Sequence, residues 1–190
     1  MAGIGHNSGR VDEPGKAWRS FVWKKARKDL VGVLPVEIIR RRVRRAEELG
    51  LPYKTYAGIR AHTGHDLIGF LFSNNALRIL RTGDDLPLQQ KEKLRQVTGA
   101  LRHAIVHRPV SVERVAAMED FDRAFAAPAF TDSWSEMRTK IKAIATTDGQ
   151  PADRWLMIGD TAFEREWAEA GRMAGYLTAD DFFGAGRAAT

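Results

Sequence analysis

The stretch from Pro35 to Arg81 constrains the fold of this chain more than any other. Five Arg residues fall within six positions, Arg40, Arg41, Arg42, Arg44 and Arg45. Val36, Ile39, Val43 and Ala46 recur beside them at helical spacing, so the spacing predicts an amphipathic helix with a guanidinium-rich outer face. Pro35 suits the first turn, where its missing N–H costs nothing, and Glu37 lies near the helix N-terminus, where a carboxylate is favoured. Such a density of like charge weakens a helix unless something anionic lies nearby. Gly50 ends the helix, and Pro52 opens a second short one, Tyr53 to Ala61. Two apolar runs follow, Leu67–Phe72 and Ala76–Leu80, separated by Ser73-Asn74-Asn75. They predict strand, turn and strand, because both are rich in branched or aromatic residues and Asn tolerates positive φ. A competing reading is one buried strand followed by a helix starting at Ser73, within an α/β fold.

Ala46-x-x-x-Gly50, followed by Leu51, Tyr56 and Ile59 with Leu49 just ahead of the Gly, resembles the helix-turn-helix of bacterial DNA-binding proteins. A small residue lets two helices approach, a Gly can take the left-handed turn, and the apolar positions supply a shared core. Arg45 departs from that pattern, which prefers an apolar residue there, and Gly58 weakens the second helix. The resemblance implies that Tyr53, Lys54, Thr55 and Arg60 face a major groove while Arg40, Arg41, Arg44 and Arg45 bind phosphates. A hairpin after the recognition helix would make the unit winged, with Arg78 and Arg81 near the wing. The bland counterpart is an αα-hairpin with a solvated Arg face.

Charge points the same way. Residues 1–110 hold 21 Lys and Arg against 10 Asp and Glu, whereas residues 111–190 hold 9 against 14. A basic first part suggests a polyanionic partner. The chain has no Cys, so disulfides and thiolate metal sites are excluded. No apolar run approaches the length of a membrane span, and the Gly-rich N-terminus lacks signal-peptide regions, so no membrane insertion and a cytoplasmic location are expected.

The remaining chain reads as helical. Residues 1–15 are expected to be a flexible tail and Lys16–Val33 an amphipathic basic helix containing Trp18 and Trp23. After a loop at Thr82–Pro87, Leu94, Val97, Leu101 and Ile105 predict one helix over Leu88–His107. Ser111 caps a helix to about Phe125, and Thr131–Glu136 caps another carrying Trp134, Met137, Ile141 and Ile144. Trp155–Ile158 is a short strand. Thr161-Ala-Phe-Glu164 fits a capping box for a helix stopping at Gly175, and Thr178 opens a final short turn with Phe182 and Phe183.

Chemistry could reside in a few clusters. His62 and His65 with Asp66 form one, and His103-x-x-x-His107 another, the latter expected on the solvated face of its helix. Neither has the remaining ligands of a metal motif. Ile158-Gly-Asp-Thr161 resembles the later acidic motif of haloacid-dehalogenase-type phosphatases, and Phe72-Ser-Asn-Asn75 is distantly similar to their Ser/Thr motif. That resemblance implies an earlier strand ending in an Asp-x-Asp nucleophile and acid pair. The one Asp-x-Asp, Asp120-Phe-Asp122, comes after the Ser motif, the wrong order, so capping by Asp160 or Thr161 explains the stretch better.

The expected protein is therefore mainly α with a short β-hairpin, a winged helix-turn-helix followed by a helical domain. Residues 16–82 form the basic domain, and residues 83–190 an acidic helical dimerisation or effector domain. The function expected is regulatory binding of double-stranded DNA, transcriptional or prophage-type, by a chain able to form a homodimer. No catalytic residue, cofactor or metal is expected. One alternative is an α/β enzyme using His62, His65 and Asp66 or the later acids. Another is an adaptor whose Arg-rich helix binds an acidic protein.

Overall fold

The computed structural model describes residues 34–184. The expected N-terminal tail and the helix over Lys16–Val33, with Trp18 and Trp23, lie outside the described residues. The chain runs through α1 (Val36–Glu48), α2 (Tyr53–Thr63), β1 (Gly69–Ser73), α3 (Leu88–Gln96), β2 (Leu101–Val106), α4 (Val112–Ala116) and β3 (Arg123–Ala126). It continues through α5 (Trp134–Ala145), β4 (Trp155–Gly159), α6 (Ala162–Ala170), β5 (Gly175–Thr178) and α7 (Ala179–Phe183). All strand pairs are parallel, in the order β3-β2-β1-β4-β5. The protein is thus α/β with a five-stranded parallel sheet, not mainly α with a hairpin. One compact unit begins at Arg40.

Parity along each strand builds three layers. Phe70, Phe72, Ala104, Val106, Leu156 and Ile158 face one way, against Ala46, Leu49, Tyr56, Leu94, Val115, Phe182 and Phe183. Leu71, Ile105 and Met157 face the other way, against Met137, Ile141 and Ile144 of α5 and Trp167 and Ala168 of α6. β1 and β4 are buried along their whole length, which is why they read as unbroken apolar runs rather than alternating ones. A strand flanked on both sides cannot serve as a wing, and this overturns the winged helix-turn-helix.

Three expectations fail for identifiable reasons. The run after Asn75 is neither a second strand nor a helix. It is a turn locked by Leu77 N–H donating to the Ser73 carbonyl at 3.0 Å and Ile79 N–H to the Asn74 carbonyl at 2.9 Å. The helix expected over Leu88–His107 ends at Gln96, where Val97 turns extended, and β2 begins at Leu101. A separation of four is even, so Leu101 and Ile105 share a strand face as readily as a helix face. The helix expected from Ser111 to Phe125 ends at Ala116, and β3 takes its last residues.

Local signals at helix starts are realised. Ser111, Ser133 and Thr161 each accept a backbone N–H, and the Ser133–Glu136 and Thr161–Glu164 pairs both form capping boxes. Gly50 takes φ +64° in the turn between α1 and α2, as its place after the Arg-rich helix requires. Trp155–Ile158 is strand, whereas the helix before Gly175 already stops at Ala170 and Gly175 opens β5. Among the described residues no helix is long and apolar enough to cross a membrane.

Candidate functional site at the carboxyl edge of the sheet

In an open parallel sheet, the strand order reverses where neighbouring strands send their following segments to opposite faces, leaving a crevice at the carboxyl edge. Here that point lies between β1 and β4. The segment after β1 packs on the α3 face, and α6 after β4 packs on the other. The switch point is therefore bordered by Ser73-Asn74-Asn75 and by Gly159-Asp160-Thr161.

Glu164 is its centre. The residue is completely buried in the first turn of α6. Its Oε1 accepts from Asn75 Nδ2 at 2.9 Å and lies 3.2 Å from His107 Nε2. Its Oε2 accepts from the backbone N–H groups of Asp160 at 2.6 Å and Thr161 at 3.0 Å. Burial by itself pushes the carboxyl up. Hydrogen bonds from His107, the Asp160 amide, Ser73 and Asn75 outweigh it and hold the carboxyl at about 2. Gly159 makes this packing feasible, since a Cβ there would lie 2.6 Å from the Tyr176 ring and 3.0 Å from Glu164.

The neighbouring residues brace the loops. Ser73 Oγ accepts from Ala76 N–H at 3.0 Å. Asn74, also buried, accepts from His107 N–H at 2.8 Å and donates to the Ile79 carbonyl at 2.9 Å, tying the β1 loop to the end of β2. Arg78 has φ +60°, a conformation that costs a non-Gly residue about 1 kcal/mol or more. Its guanidinium reaches from the β1 loop to Asp160 at 2.6 Å, with Asp180 at 4.0 Å, and is nearly half exposed. A guanidinium carries five N–H donors, so donors remain for a ligand oxygen.

The residues expected to contact DNA are distributed differently. Arg40, Arg41, Arg44 and Lys54 are exposed on α1 and α2, whereas Tyr53 packs against the core and Thr55 is half-buried. Arg45 and Arg60 converge on Asp66, ahead of β1 at the amino edge. Arg45 Nε donates to Asp66 at 2.9 Å, its other nitrogens to the carbonyls of Leu67 at 2.8 Å and Gly99 at 2.9 Å, and Arg60 lies 3.7 Å from Asp66. The polar residue that departed from the helix-turn-helix pattern is thus a clamp between α1 and the strands. Arg78 lies at the opposite edge of the sheet and Arg81 is exposed in the loop beyond it. His62, His65 and Asp66 do not converge on one another: His62 lines a cavity with Asp153, Arg165 and Glu169, and His65 lies 3.9 Å from Asp153. Both His are exposed, and Asp66 is occupied by Arg45, Tyr56 and the Leu67 amide. His103 and His107 are on and just after β2 and both are buried, so the solvated helix face expected for them is corrected.

Asn75, His107 and Glu164 carry the site, and sequence reasoning did not bring them together. Glu164 announced itself only as the last position of a capping box, and Asn75 only as a turn residue. The signals that could have joined them were three polar endings, each following an apolar run: Ser73-Asn74-Asn75, His107, and Gly159-Asp160. Asp120-Phe-Asp122 is not helical and lies ahead of β3 at the amino edge, where Asp122 accepts from Arg102 N–H at 2.6 Å. No family model matches this chain, and no curated protein does.

Proposed function

We propose that the protein is an α/β ligand-binding domain of phosphatase-like build, which holds an anionic small molecule in the crevice between β1 and β4 and does not turn it over through a covalent carboxylate intermediate. The observation that carries this reading is the buried Glu164, hydrogen-bonded on both oxygens at the switch point of the sheet, with Arg78 reaching Asp160 beside it. The stretch Ile158–Thr161, which resembles the later acidic motif of haloacid-dehalogenase-type phosphatases, directly ends β4. The end of β1 carries Ser73-Asn74-Asn75 in the place where that family needs its Asp-x-Asp pair.

The substitution is chemically decisive. An aspartyl nucleophile attacks through a carboxylate oxygen, and the amides of Asn74 and Asn75 offer none. Ser73 Oγ is fully buried and accepts from Ala76 N–H. Glu164, held at about 2, is too weak a base to take its proton near neutral pH. What remains is positioning. Glu164 fixes Asn75 and His107, Asn74 fixes the loop, and Arg78 supplies guanidinium donors to an oxyanion.

The test pairs binding with turnover on the full chain. Ribose phosphate is expected to shift the NMR amide signals of Asn75, Arg78 and Asp160, with the response lost in Arg78→Gln. Hydrolysis of p-nitrophenyl phosphate with magnesium is expected to stay at background. Hydrolysis that disappears in Asp160→Ala would overturn the non-catalytic reading, and the absence of crevice shifts at millimolar ligand would overturn the site.

A further inference from the structure

We infer that Phe130, backed by Phe163, is a stacking platform that selects a ligand with a planar aromatic ring beside its anionic group, a nucleoside monophosphate being the simplest such molecule. The inference rests on the reading of the crevice as an anion site. Phe130 lies four residues beyond β3, at the carboxyl edge, and is 76% exposed, more than any other large apolar side chain described. A lone exposed Phe is unremarkable. This one is held in place.

Its ring is nearly parallel to Phe163, with centroids 4.8 Å apart and planes 23° apart, and to His107, at 5.6 Å and 16°. Beneath them Trp167 is completely buried, 4.7 Å from His107 and 5.5 Å from Phe163. The turn that presents Phe130 is braced as well. Asp132 accepts from Ala129 N–H at 2.8 Å, donates its own N–H to the Ala129 carbonyl at 3.1 Å, and binds Lys140 of α5 at 2.6 Å. The Phe130 ring is therefore held by two near-parallel rings and a braced turn while three quarters of it stays exposed, in an orientation fixed before any ligand arrives. Preorganisation of this kind lowers the entropy cost of stacking.

The platform is continuous with the crevice. His107, which Phe130 covers, is 3.2 Å from Glu164, whose other oxygen accepts from Asp160 N–H, and Asp160 pairs with Arg78. A ring on Phe130 and an anion at Arg78 would thus be bridged by the one hydrogen-bonded network of the site. Thr131 and Asp132 follow Phe130 in the chain and Asp132 pairs with Lys140, so the exposed apolar area next to these polar residues is a single ring, which suits one flat ligand ring rather than a protein surface.

Calorimetric titrations of the full chain with adenosine monophosphate and ribose phosphate, together with the amide signals of Asn75 and Arg78, test this. Adenosine monophosphate is expected to bind about tenfold more tightly than ribose phosphate. Phe130→Ala is expected to erase that advantage and leave ribose phosphate unchanged, while Phe130→Tyr, which keeps the ring, retains it. Equal affinities for the two ligands, or an advantage indifferent to Phe130→Ala, would overturn the platform while leaving the crevice reading standing. If neither ligand shifts Asn75 or Arg78, both fall.

Discussion

His103 on strand β2 and His107 just after it share the same parity, and each lies between aromatic rings beside a carboxylate, yet their surroundings differ in kind. His107 is flanked by Phe130 and Trp167 and meets Glu164 at 3.2 Å. His103 is flanked by Phe125 and Trp155 and approaches Asp148 at 3.5 Å. Around His107 both oxygens of the carboxylate are hydrogen-bonded. Around His103 only Asp148 Oδ1 is firmly paired, with Arg123 at 2.9 Å; among the described residues Asp148 Oδ2 and the imidazole Nδ1 are buried without a hydrogen bond. Burial pushes the His103 imidazole below its usual range, against the pull of Asp148 and Asp122. The difference follows from position. Loops and a helix N-terminus converge on the carboxyl edge and bring backbone N–H groups with them, whereas mid-strand neighbours have already spent theirs on the sheet.

The sharpest way to break this comparison is to remove each carboxylate. Glu164→Ala strands several donors in a buried site and is expected to cost about 3–4 kcal/mol in urea unfolding. Asp148 is partly exposed and its main partner, Arg123, is half exposed, so Asp148→Ala is expected to cost no more than about 1 kcal/mol. Equal losses would mean that the two clusters are alike after all.

The imidazoles come next. His107→Leu removes a partner of a buried carboxylate and is expected to cost about 2 kcal/mol, while His103→Leu exchanges an unsatisfied polar group for an apolar one and should cost less than about 1 kcal/mol. Unfolding free energies of both variants decide the order.

Acid should separate the clusters in sequence. Because the folded His103 prefers to be neutral, its contribution is complete above about pH 6.5 and erodes as pH falls below that. Because Glu164 is depressed from 4.5 to about 2, its contribution is complete above 4.5 and is lost as pH falls towards 2. Stability measured against pH should therefore decline in two windows, with His103→Leu removing the first and Glu164→Gln the second. The smallest effect is expected at Phe130. Phe130→Ala should change stability by no more than about 0.5 kcal/mol, because the ring is mostly exposed.

Much of the local structure was legible before the fold was known. Capping at Ser111, Ser133 and Thr161, the turn at Gly50 and the strand at Trp155 follow from short-range chemistry that acts within four residues. The sheet was not legible for the same reason. β1 pairs Leu71 with His103 and with Met157, partners far apart in the chain, and nothing within a short window announces such pairing. Leu101–Val106 fits a helix as well as a strand because Leu101 and Ile105 are an even four residues apart. Arg45 was visible as an anomaly in a helix-turn-helix pattern, but only Asp66 and the carbonyls of Leu67 and Gly99 explain it.

The candidate site divides in the same way. By itself the sequence determined that Glu164 would reach back to its own helix start, that Ser73-Asn74-Asn75 would end an apolar run, and that no Asp-x-Asp stands at that run's end. Tertiary structure alone decided that these pieces meet. A parallel sheet brings the carboxyl ends of all its strands to one edge, whatever their distance in sequence, and the order β3-β2-β1-β4-β5 puts the switch point between β1 and β4. Asn75, His107 and Glu164 share a carboxylate because of that topology, which a period of two or of 3.6 residues cannot encode.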